Sequence, residues 1–281
     1  MMAYYNVQQL IKQGEAVLSQ NEEPVIGARY LMMDLFELSQ MDIMMDNKQL
    51  TEEERTRYLT GIEQLAYHIP LAHITGFQMF YDRKFMVTKD VLVPRNETEE
   101  LVYLVIEKWS NHQSFADIGT GSGAIAISLA LELQGTKAYA VDISSDALNT
   151  ARNNAAALNA EVTFLEGDLL EPLINRGIRV DCLVSNPPYI AQSELELMNE
   201  SALHDPHIAL FAEDDGLALY KRMIERMPEI LNPDALVAFE IGHAQGVAIS
   251  EYVLKLYPHI TPQVVQDING LDRIVWFEWC E

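Results

Sequence analysis

Cysteine is nearly absent from this chain of 281 residues, which carries only Cys182 and Cys280. Cys182 falls inside an apolar run expected to form a core strand and Cys280 lies beside the C-terminus, so the pair excludes a disulfide framework and a cysteine metal centre. That usage fits a reducing compartment, and the expected location is the cytoplasm. No apolar run approaches the roughly 20 residues that span a bilayer, and Met1-Met2-Ala3-Tyr4-Tyr5-Asn6 has no basic segment leading into an apolar one. A soluble, untargeted protein without membrane partners is expected. Positive charge is also scarce: 19 Lys and Arg stand against 42 Asp and Glu, a net charge of -23. Affinity for nucleic acid comes largely from cations that displace counterions from phosphates, so direct binding of DNA or RNA is not expected. There is no internal repeat and no low-complexity segment.

What the chain does have is a globular composition, 49% hydrophobic, and two successive patterns. Up to about residue 75, apolar residues recur at helical spacing in three stretches: Val7, Leu10 and Ile11; Val25, Ala28, Leu31, Met32 and Leu35; Tyr58, Leu59, Ile62, Leu65 and Ala66. Thr51 and Glu54 have capping-box spacing at the start of the third, and Pro70 lies beyond its end. This segment has 5 basic and 11 acidic residues, so it is no nucleic-acid clamp. From Gly76 the period changes, with Phe77, Met79, Tyr81, Phe85 and Val87 alternating around a turn at Asp82-Arg83, as in a hairpin. The resulting division is a helical domain over 1–75, a hairpin linker over 76–100 and a larger domain over 101–281.

In the larger domain strand-like and helix-like segments alternate. Strands are expected at Phe115 to Ile118, Ala138 to Val141, Val162 to Leu165, Val180 to Val184, Leu236 to Ile241, near Gln263 to Val265, and at Ile274 to Phe277. Helices are expected from Ala124, over Ser145 to Leu158, Leu217 to Met227, and Gln245 to Leu256. Such alternation implies an α/β fold with a doubly wound, parallel sheet.

Two clusters carry chemistry. In Asp117-Ile118-Gly119-Thr120-Gly121-Ser122-Gly123, a first strand meets a first helix through glycines that permit a tight turn and let a ligand lie against the backbone. Asp142 ends the next strand 19 residues after Gly123, where a carboxylate accepts from both hydroxyls of a ribose. A nucleoside-containing cofactor follows, and the loop alone leaves a nicotinamide dinucleotide and S-adenosylmethionine open. Asp168, after the third strand, is a candidate acceptor for an adenine amino group, with Leu169 packing on the base; the alternative is a turn aspartate.

The second cluster, Asn186-Pro187-Pro188-Tyr189, follows the apolar run ending at Ser185, where an open sheet keeps its active site. It combines a side-chain carbonyl, two prolines without N–H groups and a flat ring, which suits a planar NH2 group. An amide or exocyclic amino nitrogen is a weak nucleophile because its lone pair is delocalised. Two acceptors, Asn186 Oδ1 and the Pro187 carbonyl, can hold both N–H bonds, aim the lone pair at a sulfonium methyl group and favour the positive charge that builds on nitrogen. Tyr189 is expected to stack on the acceptor. A methyl donor needs such a clamp and a dehydrogenase does not, so the tetrapeptide favours S-adenosylmethionine. Base or amide remains open at this point.

Other clusters carry less. In His204-Asp205-Pro206-His207 the proline breaks helical spacing and no further ligands are near, so no metal site is expected. Glu240-Ile241-Gly242-His243 ends another strand, where it can face the site, although a buried helix-start contact is the expected role. Ser122 has no accompanying His and Asp pattern of a nucleophile.

Taken together, these residues resemble the peptide-chain release factor glutamine methyltransferases over nearly the full chain. The resemblance rests on Pro70-Leu71-Ala72-His73-Ile74-Thr75-Gly76, Val93-Pro94-Arg95-Asn96-Glu97-Thr98-Glu99, Asp117 to Gly123, Asn186 to Tyr189, Pro206-His207-Ile208-Ala209-Leu210-Phe211, Asp215-Gly216-Leu217 and Glu240-Ile241-Gly242. It implies a class I, Rossmann-like methyltransferase domain with a mostly parallel seven-stranded sheet, preceded by a helical module that engages a release factor. The implied reaction is N5-methylation of the glutamine in a Gly-Gly-Gln loop, turning S-adenosyl-L-methionine into S-adenosyl-L-homocysteine; separately, a monomer is expected. By the same resemblance Gly119, Thr120, Gly121, Ser122, Gly123, Asp142 and Leu169 bind the donor, and Asn186, Pro187, Pro188 and Tyr189 hold the glutamine amide; Asp168 and Asn186 are also expected at the donor site. Asn96 departs from the family, which usually has proline there, and Leu169 replaces a frequent aromatic. The competing readings are a DNA or RNA amino-methyltransferase acting on a flipped base, which the acidic balance opposes, and a non-catalytic donor-binding regulator, which has no need of Asn186.

Overall fold

The computed structural model describes residues 4–46, 48–110, 113–191 and 204–280. The chain divides into two compact units, one formed up to Phe77, to which His204 is also assigned, and one from Gln78 onward.

In the first unit β1 (Tyr5–Asn6) pairs antiparallel with β2 (Gln49–Leu50). Around them stand α1 (Val7–Gln20), α2 (Ile26–Phe36), α3 (Gln40–Met45), α4 (Glu52–Ala66) and α5 (Leu71–Thr75). The capping box is present at α4: Thr51 N–H donates to Glu54 Oε2 at 2.8 Å and Glu54 N–H donates to Thr51 Oγ1 at 3.3 Å. The three apolar stretches coincide with α1, α2 and α4, and their buried faces meet through Leu10, Leu31, Met32, Tyr58 and Ile62. Helices α3 and α5 were not expected. Each is too short for a 3.6-residue period to register, and Pro70 is the residue from which α5 starts.

The second unit begins at Gln78, inside the hairpin of β3 (Phe77–Phe80) and β4 (Arg83–Met86). Its turn is Tyr81-Asp82, both with positive φ (50° and 57°), one residue before the position expected from sequence. A one-residue shift exchanges the faces of a strand. Phe80 and Phe85 are therefore the buried pair, in edge contact at 5.9 Å, whereas Met79 is exposed. The off-pattern turn is stabilised by Glu99 Oε1, which accepts the Tyr81 N–H at 2.8 Å.

Next come α6 (Thr98–Lys108), β5 (Ser114–Ile118), α7 (Ala124–Glu132), β6 (Lys137–Asp142), α8 (Ser145–Leu158), β7 (Thr163–Glu166), α9 (Glu171–Ile174) and β8 (Val180–Ser185). They are followed by β9 (Ile190–Ala191), β10 (Phe211–Ala212), α10 (Ala218–Arg226), β11 (Leu231–Glu240), α11 (Gly246–Leu256), β12 (Gln263–Gln266) and β13 (Asp272–Trp279). Seven strands form one sheet in the order β12-β13-β11-β8-β5-β6-β7, in which β13 alone runs against its neighbours. The sheet is thus mixed, mostly parallel. Strand β11 starts five residues earlier than expected, because the Asn232-Pro233-Asp234 stretch reads as a turn although Leu231 pairs with Val180 across a register shift.

Alternate residues of the central strands feed two cores. Leu183, Val237 and Phe239 pack with Tyr220, Met223 and Ile249 from α10 and α11. Cys182, Val184, Leu236 and Ala238 pack with Leu101, Val105 and Ile125 from α6 and α7. With both faces covered, the strands read as continuous apolar runs. The chain builds outward from β5 through β6 to β7, then returns to lay β8 on the other side of β5. That reversal pairs Ile118 with Ser185 and sets the glycine loop beside Asn186.

Candidate active site

At the C-terminal ends of β5, β6 and β8 lies a cavity of about 320 Å³. Gly119, Gly121, Asp142, Asp168 and Leu169 line one part of it, and Asn186, Pro187 and Pro188 another. Both clusters singled out in the sequence therefore open onto one space.

The glycine loop is fixed from below. The N–H groups of Gly119 and Thr120 donate to the Val141 carbonyl at 2.8 and 3.0 Å. Gly119, Gly121 and Gly123 all have positive φ, and a Cβ on either Gly119 or Gly121 would meet no atom within 4 Å, so the backbone is bare toward the cavity. Thr120, Ser122 and Gly123 do not line it. Thr120 Oγ1 donates to Asp117 Oδ2 at 2.6 Å, the Ser122 carbonyl accepts from Asn154 Nδ2 at 2.9 Å, and Gly123 precedes α7. These three shape the loop.

Asp142 closes the loop from the side. Its Oδ2 accepts the Gly121 N–H at 2.8 Å and its Oδ1 accepts the Ser144 N–H at 2.9 Å, leaving further lone pairs on each oxygen. Burial raises its pKa against these hydrogen bonds. Asp168 is paired with Arg222 at 2.5 Å, and both line the cavity. Leu169 has φ 47° and packs beside the large core. Asp117, given no separate role from sequence, is completely buried beneath the loop; burial, opposed by the Thr120 hydrogen bond, pushes its carboxyl up to about 7.

On the other side, Asn186 Nδ2 donates to Thr98 Oγ1, the first residue of α6, at 3.2 Å. Tyr189 is not among the lining residues. Its ring packs against the core that contains Tyr220 and Phe239, and burial pushes its hydroxyl up to about 12. Its carbonyl accepts from Gln245 Nε2 at 2.9 Å, and Gly216 comes so close that a Cβ there would lie 2.0 Å from that oxygen. In this geometry Tyr189 anchors the end of the tetrapeptide. Glu240 is buried beside Thr98 and Asn186.

Sequence reasoning did not place the remaining walls. Asp90, Val91 and Leu92 line the cavity from one loop, and Ile208, Ala209 and Phe211 from another. Asp205 joins the two: its Oδ2 pairs with Arg95 at 2.5 Å and its Oδ1 accepts the Val93 N–H at 3.2 Å. The aspartate of the His204–His207 segment is thus engaged by an arginine, and His207 stacks on Phe211 at 4.3 Å. Among the described residues no group of His, Cys, Asp and Glu could hold a metal ion. The shared signal in these two loops is aperiodic, Pro94-Arg95 in one and Pro206 in the other.

A seven-stranded, mostly parallel sheet with a glycine loop and an Asn-Pro-Pro-Tyr cluster at its switch point defines a class I methyltransferase. A family model described as the methyltransferase small domain matches residues 98–205, and one described as the PrmC N-terminal domain matches residues 9–76. The release factor glutamine methyltransferase of Bacillus cereus is 38% identical over 279 residues, 97% of this chain and 99% of that protein. The one from Bacillus subtilis is 44% identical over 231 residues, 80% of each. Among solved structures, a methyltransferase from Pyrococcus furiosus matches with a TM-score of 0.53 and 16% identity over 82% of this chain and 99% of that one, a likeness of fold. This chain belongs to the release factor glutamine methyltransferase family.

Proposed function

We propose that this protein transfers a methyl group from S-adenosyl-L-methionine to the side-chain amide nitrogen of the glutamine in the Gly-Gly-Gln motif of peptide chain release factors. The observation that carries this reading is the meeting of the glycine loop, Asp142 and Asn186-Pro187-Pro188 in one cavity. The bare backbone at Gly119 and Gly121, together with the lone pairs left on Asp142, fits a ligand with a ribose and a zwitterionic tail. Gly119, Gly121, Asp142, Asp168 and Leu169 would hold it. Bound S-adenosyl-L-methionine supplies an electrophilic methyl group on a sulfonium.

The chain's own residues have three tasks. Asn186 Oδ1 and the Pro187 carbonyl accept the two N–H bonds of the glutamine amide and orient its lone pair. The same acceptors favour the positive charge that develops on nitrogen. Because the residue before a proline is held extended, Asn186 and Pro187 lose little freedom when the substrate arrives. The proton of the methylated nitrogen then leaves to solvent, so no strong base is required.

Substrate engagement is assigned to the helical unit, whose α3 exposes Met41, Met44 and Met45. The protein is read as a cytoplasmic monomer that acts on a protein and not directly on nucleic acid. Incubation with labelled S-adenosyl-L-methionine and, in parallel, an unmodified release factor, ribosomal RNA and duplex DNA tests the reading. Label is expected in the release factor; label in nucleic acid alone identifies a base-methylating enzyme instead.

A further inference from the structure

Glu240 is the last residue of β11, and the pairing of Phe239 with Ser185 sets it level with Asn186 at the end of β8. Only 2% of it is exposed. The Thr98 and Asn186 side chains both face its carboxylate and favour its charged form, Asn186 Nδ2 donates to Thr98 Oγ1 at 3.2 Å, and Tyr220 Oη donates to its main-chain carbonyl at 2.6 Å. Glu240 Oε2 has no hydrogen-bond partner among the described residues. A buried carboxylate with an unused oxygen is costly, and a neutral amide would serve a purely structural contact at a lower desolvation cost.

We propose that Glu240 is a positioning residue that sets the amide orientation of Asn186. A carboxylate only accepts. Thr98, once its hydroxyl hydrogen points at Glu240, also has only a lone pair to offer Asn186. The Asn186 Nδ2 must then face Thr98 and Glu240, and Oδ1 is left for the cavity, where the glutamine amide needs an acceptor. The flipped amide would set Oδ1 against two oxygens and present donors to a substrate that is itself a donor. This inference rests on the acceptor-clamp reading of Asn186.

The groups that face Glu240 from neighbouring elements are Thr98 and Glu97 at the start of α6, Arg273 on β13, Tyr189 after β8 and Tyr220 on α10. Burial, opposed by the nearby Thr98 hydroxyl and by Arg273, pushes the Glu240 carboxyl up to about 7. A protonated Glu240 donates to Thr98, whose own hydrogen then turns toward Asn186 and removes the preference. Turnover should therefore fall as pH drops through about 7.

The test measures kcat, KM for the release factor and the calorimetric Kd for S-adenosyl-L-methionine across pH, using the full chain and the variants Glu240→Gln, Thr98→Val and Thr98→Ser. Glu240→Gln is expected to lower kcat by roughly 10- to 100-fold, as misplacement of a reacting group does, with the donor Kd within about two-fold. It should also flatten the acid limb of the pH profile. Thr98→Val should lower kcat similarly, and Thr98→Ser should restore most of it. Wild-type kcat with the acid limb intact in Glu240→Gln overturns the inference. If that variant does not fold, unchanged kcat in Thr98→Val overturns it equally. Absence of transfer to release factors by the unmodified protein overturns the functional reading and this inference together, whereas transfer with indifferent variants overturns only the latter.

Discussion

Gln245 Nε2 donates to the Tyr189 carbonyl at 2.9 Å, while its Oε1 accepts the Gly242 N–H at the same distance. One side chain at the start of α11 thereby ties the end of the tetrapeptide to the end of β11. Gly216 completes the arrangement, with φ 80° and no room for a Cβ against the same carbonyl.

Gln245→Ala should destabilise the protein by about 1 kcal/mol, the net worth of a hydrogen bond between half-buried groups. Because the affected backbone is that of the tetrapeptide, kcat should fall more than donor affinity does. Gly216→Ala should be the more damaging change, since it adds strain at positive φ to a collision with the Tyr189 carbonyl. Urea denaturation and single-turnover kinetics on the two variants check this; a larger loss in donor affinity than in turnover contradicts it.

Asp142 offers a contrasting case. Asp142→Ala removes the acceptor for the Gly121 and Ser144 N–H groups as well as the proposed ribose contact. Donor affinity should drop by at least about 10-fold, the equivalent of losing roughly one charge-assisted hydrogen bond. Asp142→Asn keeps one acceptor oxygen and should fall between. Isothermal titration with S-adenosyl-L-methionine measures the order; equal affinities for all three proteins would remove Asp142 from the donor site.

The Asp117 carboxyl, pushed up to about 7 by burial, makes a pH-dependent contribution to stability. A carboxyl in the unfolded chain titrates near 4, so between about 4 and about 7 the folded state binds more protons at this position. Its effect therefore favours folding on acidification and turns less favourable as pH rises toward the folded value. Asp117→Asn, which stays neutral, should gain stability relative to the parent protein when moved from about pH 5 to about pH 8. Chemical denaturation at the two pH values checks the sign, and a difference that does not vary with pH contradicts it.

Legibility in the sequence followed the range of the interactions. The glycine loop, Asp142 and the Asn-Pro-Pro run are set by local rules: a strand, a turn and a helix start in a row, or two prolines after an apolar run. Thr120, Ser122 and Gly123 lay in the same motif, yet only the folded loop shows that Thr120 turns inward to Asp117. Tyr189 carries a ring suited to stacking, but the ring packs against the large core, a contact set by tertiary packing. Thr98, Glu240 and Gln245 reach the tetrapeptide through sheet register and helix placement, which no local pattern encodes. The hairpin shows the same limit on a smaller scale, since alternating apolar residues fit either register and only the Tyr81-Asp82 turn selects the face that buries Phe80.

The most direct measurement compares the parent protein with Asn186→Ala, using an unmodified release factor and labelled S-adenosyl-L-methionine, and reads the product by peptide-mapping mass spectrometry beside the calorimetric donor Kd. The parent should place one methyl group on the side chain of the Gly-Gly-Gln glutamine. Asn186→Ala should lower that transfer by at least about 100-fold while its donor Kd stays within about two-fold, because the lost acceptor acts on the transition state. Undiminished transfer by the variant, or a methyl group on any residue other than that glutamine, would contradict the account.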